Sequence, residues 1–269
     1  MTKKHDIIWL DTTDSTNEEA RRRIRDIDNL SVVSAYSQTA GRGQRGNIWS
    51  SAPGQNLTFS IIIKYGHGAG QLLPLRACDQ FAISEAAALA VVDLLASHDI
   101  EAKIKWPNDI YVGDRKICGI LIENSLRESF MSSSIIGIGL NVNQTEFDPS
   151  LPNPTSMALC SQSAPLEALL EEFIDIFKSY CSRFLNIAGG LSHLRRLYLS
   201  QLWCLNEFSS FIDYTDLPSG HISGISGREF KGIIRGITAT GKLLVDDLTE
   251  TPPHTREFSF KEIGYIIHA

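Results

Sequence analysis

The sequence contains few cysteines and lacks a long apolar segment. Its 269 residues include five cysteines with no Cys-x-x-Cys pair, a pattern that excludes a zinc ribbon and predicts reduced structural thiols. The apolar runs LTFSIIIK and KICGILIE are far shorter than the ~20 residues that a membrane helix needs. The amino-terminal sequence MTKKHDIIWLD lacks a signal-peptide core. We therefore expect a cytoplasmic protein with no membrane partner.

The sequence also lacks an excess of basic residues. Lys and Arg number 25 against 31 Asp and Glu, a formal net charge of −6. Nonspecific nucleic-acid binding needs basic surface that neutralises phosphates, so this balance argues against DNA as a partner. Hydrophobic residues make up 43% and charged residues 21% of the chain, as in globular proteins. The length allows one large core and a small second domain.

Periodicity predicts a mixed first domain and an all-β second one. The segment DSTNEEARRRIRD contains two Ser/Thr-x-x-Glu capping boxes, beginning at Ser15 and Thr16, which predict a helix from about Asn17 to Asp26. Short runs from about Glu207, namely HISGIS, REFKGIIRGI, KLLVDDL, REFSF and GYIIH, predict a small barrel. We therefore divide the chain into 1–205 and 206–269. Other predicted elements are strands at 32–36 and 57–64, a buried helix at 74–98, a four-stranded meander at 103–106, 109–112, 116–124 and 134–141, and helices at 166–185 and 190–203.

Three glycines and two arginines lie in the segment GRGQRGNIW, residues 41–49. Glycine frees the backbone to present N–H groups, and Arg42 and Arg45 supply donors suited to carboxylate or phosphate. The segment lacks the GK[ST] ending of a Walker A loop and does not open a helix after a strand, as a dinucleotide fingerprint does. A solvated hairpin tip is the alternative interpretation of this loop.

Two lysines lie at the ends of predicted strands in KWPNDIYVGDRKICGILIEN, residues 105–124. If Lys105 and Lys116 face one cleft, they can bracket a phosphate and a carboxylate. The alternative is that both are solvated charges at strand edges. The pair Trp106-Pro107 restrains the backbone between the strands, because proline restricts both its own φ and the residue before it.

Four segments occur in the order and approximate spacing that biotin protein ligases show: DSTN, QTAGRGQRGNIW, KWPNDIYVGDRKICGILIE and IIGIGLNVN. The likeness is strong from Asp14 to Asn143 and fades through the helices that follow. The chain thus resembles the biotin protein ligase family. The resemblance implies an α+β fold: a catalytic domain similar to class II aminoacyl-tRNA synthetases, with helices flanking a mixed sheet, followed by a small SH3-like β-barrel.

The resemblance implies an ATP-dependent ligase that converts biotin to biotinyl-5'-AMP and transfers biotin to a lysine of a biotin carboxyl carrier protein. ATP and Mg²⁺ are the implied cofactors, because Mg²⁺ neutralises phosphate charge; the sequence displays no metal cage of its own. Only 14 residues precede Ser15, so we expect no DNA-binding domain and no repressor activity. Family members occur as monomers and as homodimers, and the resemblance leaves a homodimer open.

The resemblance also implies which residues bind biotin. Its buried urea has two N–H donors and one carbonyl, and each group left unpaired would cost about 1–3 kcal/mol. Hydroxyl and amide side chains match these groups, although helix capping is an alternative role for Ser15 and Thr16. The implied biotin-binding residues are Ser15, Thr16 and Asn17 at the ureido end, Gln38 beside them, the loop residues Gly41, Arg42, Gly43 and Gln44, and Lys116.

Catalytic and nucleotide-binding residues follow from the same resemblance. Lys116 matches the family lysine directed at the biotin carboxylate and the α-phosphate, where a fixed ammonium stabilises developing negative charge. Asp109 is implied to contact the incoming lysine or a metal-bound water, with a turn-stabilising role as the alternative. For Trp49, core packing is the alternative role. The implied catalytic residues are Lys116, Arg42 and Asp109, and the implied nucleotide-binding residues are Arg45, Trp49, Asn108 and Asn141.

The chain departs from many family members at Gln44 and Asn47, where those have arginine. Fewer positive charges imply that the adenylate is held more loosely, or through Arg45.

The sequence leaves two rival functions open. A lipoate ligase or octanoyl transferase shares the superfamily fold, but its arginine-arginine and triple-glycine signature is absent. A non-enzymatic biotin-binding module would not need Lys116.

Overall fold

The computed structural model describes residues 5–68, 71–215, 227–249 and 251–267. The chain divides into two compact units, Met1–Gln201 and Leu202–Ala269. The division falls slightly before residue 205, where the change of sequence pattern places it. The first unit combines a mixed sheet with flanking helices, and the second is an antiparallel sheet, so the predicted α+β architecture is confirmed.

The first unit is built on a seven-stranded sheet with the order β1-β2-β3-β7-β6-β5-β4. Only the edge pair β1 and β2 is parallel, and the other neighbours are antiparallel. The last four strands form the predicted meander. Strand β1 was not predicted, because its apolar run is short and it has a single neighbour. The strands are β1 (Ile7–Thr13), β2 (Val32–Gln38), β3 (Leu57–Lys64), β4 (Lys103–Lys105), β5 (Asp109–Val112), β6 (Arg115–Arg127) and β7 (Phe130–Leu140).

Five α-helices accompany this sheet in the described part of the first unit. The helix predicted from residue 74 begins at Phe81, because Arg76 is extended and Ala77–Asp79 forms a 3₁₀ turn. The helix predicted to end at 185 changes to a π-helical turn after Tyr180. The helices are α1 (Thr16–Arg23), α2 (Phe81–Ser97), α3 (Met157–Cys160), α4 (Leu166–Tyr180) and α5 (Gly190–Ser200).

Helix α2 is strongly apolar. The segment Ala77–Ser97 is long and apolar enough to cross a membrane by length and composition alone. Its most apolar window is nevertheless 72% buried within the structure, as expected for the core helix of a soluble protein. The predicted burial of this helix is therefore confirmed.

The two faces of the sheet have different roles. On one face, Ala20 of α1 packs against Val33, Ile62 and Ile135, and we call this side the α1 face. The opposite side, where Phe59 packs against a phenylalanine of α4, is the α4 face. Side chains alternate along a strand, so every second residue after Ile135 in β7 also lies on the α1 face. Those residues are Gly137 and Gly139, and their cross-strand partners Ser60, Thr58, Leu121 and Gly119 share that face.

The second unit is a five-stranded antiparallel sheet with the order β11-β10-β9-β8-β12. Three aromatic rings from separate strands, Phe211, Phe230 and Phe258, pack in succession at its centre. The predicted strand HISGIS, residues 221–226, lies outside the described residues. The strands are β8 (Phe208–Asp213), β9 (Arg228–Ile237), β10 (Leu243–Asp247), β11 (His254–Phe258) and β12 (Ile263–Ile266).

Candidate active site

Helix α1 begins in a buried position on the sheet. Ser15, Thr16 and Asn17 are each less than 5% exposed. Ser15 occupies the N-cap position, but its side chain makes no capping hydrogen bond, so the predicted capping box is wrong. Instead, the Thr16 backbone N–H donates to Gln38 Oε1 at 2.8 Å, which supplies a cap from the end of β2. The start of α1 is therefore capped by the distant residue Gln38, and not by Ser15 as the local sequence predicts.

The side chain of Asn17 is fixed at both of its polar atoms. Its Oδ1 lies 2.6 Å from the hydroxyl of Ser60, which also lies 2.8 Å from Thr16 Oγ1. Its Nδ2 donates to Glu123 Oε2 at 2.9 Å. A Cβ at Gly137 would lie 2.3 Å from Asn17 Oδ1, so only glycine leaves room for this amide. The amide therefore has one defined orientation.

Glu123 joins α1, the glycine-rich loop and strand β6. Besides accepting from Asn17, its carboxylate lies 2.8 Å from Arg21 and 2.9 Å from Arg42. Arg42 also contacts Glu18 at 2.6 Å, and its side chain is 39% exposed. Ion pairs this exposed contribute only about 0–1 kcal/mol. Arg42 can therefore exchange these carboxylates for a ligand anion at small cost.

The glycine-rich loop forms a closed hairpin. The Trp49 backbone N–H donates to the Gly41 carbonyl at 3.0 Å, and a Cβ at Gly41 would lie 2.4 Å from the Trp49 carbonyl oxygen. Gly43 is extended and leads into a 3₁₀ turn at Gln44–Gly46. The side chain of Arg45 lies outside the described ones, so its nucleotide-binding role stays a prediction.

Trp49 lies on the α1 face of the sheet, over its two glycine strands. A Cβ at Gly139 would lie 2.3 Å from Trp49 Cε2, and one at Gly119 would lie 3.1 Å from Cζ3. Lys116 Nζ lies 5.7 Å from the centroid of the ring, at the distance of a cation–π contact. The indole therefore covers Gly119 and Gly139 beside the lysine, and its buried Nε1 donor has no partner among the described residues.

Lys116 pairs with Asp109 on the same face, with 2.7 Å between Nζ and Oδ1. The register of β5 and β6 shifts here, since Ile110 faces Cys118 but Tyr111 faces Lys116. Ile117 is thus the extra residue of a β-bulge. Strict alternation would put Lys116 on the α4 face together with Cys118. The bulge turns Lys116 to the α1 face.

The two predicted nucleotide-binding asparagines support the backbone around this site. Asn108 Nδ2 donates to the Ile120 carbonyl at 2.9 Å, and Asn141 Nδ2 donates to the Thr155 carbonyl at 2.9 Å. Asn141 is 5% exposed. Their amino groups already have partners, so their assignment to the nucleotide stays a prediction.

The α1 face brings the predicted residues together and adds others that were not predicted. Asn17, Lys116, Asp109 and Trp49 all lie on this face, and Arg42 reaches its border through Glu123. Two sequence signals were available: two glycines at alternate positions near the end of β7, and a single carboxylate within the apolar strand β6. The residues that sequence reasoning missed are Ser60, Glu123, Gly137 and Gly139.

A buried polar helix start, two glycines beneath the Trp49 indole and a lysine–carboxylate pair thus lie on one face of the sheet. The sequence model described as the Biotin/lipoate A/B protein ligase family matches residues 9–141. The bifunctional ligase/repressor BirA of Salmonella typhimurium is 30% identical over 237 residues, which cover 88% of this chain and 68% of that protein. The chain belongs to the biotin/lipoate A/B protein ligase family, which confirms the family resemblance seen in the sequence.

Other relatives differ in how much of them this chain spans. The biotin--[acetyl-CoA-carboxylase] ligase of Paracoccus denitrificans is 29% identical over 243 residues, covering 87% of this chain and 91% of that protein. In contrast, the chain spans only 42% of the BirA of Bacillus spizizenii. The solved structure of the biotin protein ligase from Aquifex aeolicus in complex with biotin and ATP superposes with a TM-score of 0.67. At 21% identity it covers 94% of this chain and 99% of that one, and it establishes the shared fold.

Proposed function

We propose that this protein activates biotin with ATP to give biotinyl-5'-AMP, and then transfers biotin to a lysine of a biotin carboxyl carrier protein in the cytoplasm. Family membership supports the class of reaction. The name of the Paracoccus relative supports a carboxylase as the acceptor. The Aquifex complex supports biotin and ATP as the substrates.

One observation carries the proposal: the start of α1 and Lys116 meet on the same face of the sheet. Asn17 lies over Gly137, whereas Trp49 and Lys116 lie by Gly139 and its cross-strand partner. Positions two residues apart along a strand are separated by about 7 Å. A ligand with a polar head at the helix start and a short chain would thus present its other end to the lysine. Biotin has that shape, with a ureido head and a terminal carboxylate.

The polar head would be recognised by groups whose orientation is already set. Glu123 and Ser60 hold the Asn17 amide, and Gln38 holds the Thr16 backbone. Fixed hydroxyl and amide groups lose little entropy on binding, which favours recognition of a urea with its two donors and one acceptor.

In the first step, a carboxylate oxygen of biotin attacks the α-phosphorus of ATP, and pyrophosphate leaves with the electron pair of the broken P–O bond. Two anions approach each other, so negative charge accumulates between them. Lys116 Nζ stabilises that charge after exchanging Asp109 for the reacting oxygens. Arg42 closes over the ligand in the same way, by leaving its exposed contacts with Glu18 and Glu123.

In the second step, the amine of the acceptor lysine attacks the carbonyl carbon of the mixed anhydride, and AMP leaves. An amide forms, and the attacking nitrogen passes its proton to Asp109 or to water. Asp109, once released from Lys116, is the carboxylate beside the reacting centre that can orient this amine.

Mg²⁺ enters this scheme as part of the ATP substrate. In the described part of the chain, no group of three or more His, Cys, Asp or Glu side chains is placed to hold a metal. The ion would be coordinated mainly by phosphate oxygens and would neutralise their charge.

The proposal is tested by measuring transfer of labelled biotin, lipoate or octanoate to apo biotin carboxyl carrier and apo lipoyl domains, with and without MgATP. We expect biotin transfer to the biotin carrier that depends on ATP and releases AMP. Transfer of lipoate or octanoate in place of biotin would assign the chain to the rival branch of the superfamily. Biotin binding without any transfer would identify a binding module.

A further inference from the structure

Lys116 lies where strand β6 changes its hydrogen-bonding neighbour. Strand β7 ends at Leu140, which faces Cys118, so Lys116 extends past the end of β7. The segment Asn153–Thr155 takes the place of β7 there. The Lys116 N–H donates to the Asn153 carbonyl at 2.8 Å, and the Thr155 N–H donates to the Lys116 carbonyl at 2.9 Å. Both backbone polar groups of the lysine are therefore held by one loop segment.

This segment is itself tied down on both sides. The Asn153 side chain donates through Nδ2 to the carbonyl of Asp114 in the β5–β6 turn. Thr155 is 2% exposed, and its carbonyl accepts from the buried amide of Asn141. The segment thus connects the turn before Lys116 to the strand end behind it.

We propose that Asn153 is a positioning residue for Lys116: its side chain holds the Asn153–Thr155 segment against β6, and so keeps the β-bulge that turns the lysine toward the reacting groups. This inference rests on the proposed function. It concerns how the lysine is held, since Asn153 itself has no place among the groups assigned to biotin or ATP.

A bulge needs this support, because the competing arrangement is regular pairing. If Ile117 joined the ladder, the alternation of β6 would carry Lys116 to the α4 face. The Lys116 side chain is 32% exposed, and its ion pair with Asp109 is partly solvated. Such a pair is too weak to hold the backbone in register. The backbone hydrogen bonds of Asn153 and Thr155 to Lys116 therefore favour the bulged form, together with the bond from the Asn141 N–H to the Ile117 carbonyl at 2.9 Å.

The test is a double-mutant cycle on the full chain, read as the single-turnover rate of pyrophosphate release with biotin and MgATP. The variants are Asn153→Ala, Lys116→Ala and the double variant, with the isosteric Asn153→Asp as a second removal of the Nδ2 donor. Leu151→Ala is the matched control, because it truncates an exposed side chain of the same loop. Thermal unfolding of each variant is measured alongside.

We expect Asn153→Ala and Asn153→Asp to slow adenylation on the order of tenfold or more, since small misplacements of a catalytic group have large kinetic effects. The same change in the Lys116→Ala background should alter the rate less than about twofold, because the lysine through which Asn153 acts is gone. Leu151→Ala should match wild type.

The outcomes separate this inference from the function on which it rests. A wild-type rate in Lys116→Ala would overturn the assigned role of the lysine. If Lys116→Ala is slow but the Asn153 variants match wild type, the positioning role is wrong. The same holds if Asn153→Ala slows the Lys116→Ala background by the same factor as wild type, since the effect would then reflect general loosening of the structure.

Discussion

The indole of Trp49 rests directly on the backbone of Gly139. A Cβ at Gly139 would lie 2.3 Å from Cε2 and 2.6 Å from Nε1 of that ring. The backbone of β7 fixes the position of a Cβ at residue 139, so the overlap is relieved only if the Trp49 ring moves. The closed position of the glycine-rich loop thus depends on the absence of a side chain at Gly139, next to the last residue of β7.

Gly139→Ala should therefore open the loop. The added methyl displaces the indole, and the loop that ends at Trp49 loses its anchor on the sheet. Cleavage of the native protein by trypsin within residues 41–49 should become at least several-fold faster, because exposed flexible loops are the preferred sites of proteolysis. Gly119→Ala is the matched control, since its Cβ would lie 3.1 Å from the indole and needs only a small adjustment. Equal cleavage of Gly139→Ala and wild type would contradict this role.

Lys116→Ala should slow adenylate formation by about 10²–10³-fold and leave a measurable residual rate, with the fold intact. Loss of the ammonium removes charge stabilisation that is worth about 10²–10³ in rate at comparable sites. The side chain is 32% exposed, so stability should change by less than about 1 kcal/mol. Single-turnover adenylation and urea unfolding measure the two effects. Lys116→Arg, which keeps the charge in another geometry, should retain part of the rate.

Glu123→Ala should weaken biotin binding, although Glu123 itself is not among the residues proposed to contact biotin. The substitution removes the closer acceptor of the Asn17 amide, leaving the Leu121 carbonyl at 3.4 Å, and it removes the shared contact of Arg21 and Arg42. An amide that is no longer held in one orientation leaves a buried ureido group of biotin unpaired, which should cost about 1–3 kcal/mol of biotin affinity in calorimetry. Glu123→Gln keeps an acceptor for Asn17 and should lose less. If both variants bind biotin as wild type does, Glu123 does not orient Asn17.

Acid should destabilise the second unit through Asp213 and Asp247. Burial by itself raises the pKa of each carboxyl, but hydrogen bonds from Thr215 or Thr249 and from Arg256 outweigh it, and the net pKa is lowered. A carboxyl with a lowered pKa in the folded state contributes stability above its ordinary pKa of about 4, and this contribution is lost as the pH falls through the folded-state pKa.

Arg256→Met tests this network. Arg256 contacts Asp213 and Asp247 and lies 4.6 Å from the ring centroid of Phe258, so methionine keeps part of the packing and removes the charge. Arg228 also lies 3.7 Å from Asp213 and 3.2 Å from Asp247, so the loss should stay below the ~3 kcal/mol that breaking an isolated buried ion pair costs. The free energy of unfolding should thus fall at pH 7, and the difference from wild type should shrink near pH 3. A difference independent of pH would exclude coupling between Arg256 and these carboxyls.

Much of the fold could be predicted from local pattern. The meander formed by β4 to β7 and the buried helix α2 follow from apolar periodicity, which is strong in both segments. Local reasoning failed where a distant residue replaced a nearby one: Gln38, rather than the Ser15 side chain, caps α1. It also missed Ser60, whose hydroxyl contacts Asn17 from a strand far along the chain.

The sequence by itself determined the family, the secondary-structure content and the segments that hold the polar residues, because each of these depends on neighbours along the chain. Only the tertiary structure decided which way Lys116 faces. Strict alternation from Cys118 would send it into the α4 face, and the bulge at Ile117 reverses it. The segment that supports this bulge lies almost forty residues later, at Asn153–Thr155. The face on which the Lys116 side chain lies depends on that long-range backbone pairing and cannot be predicted from the local sequence.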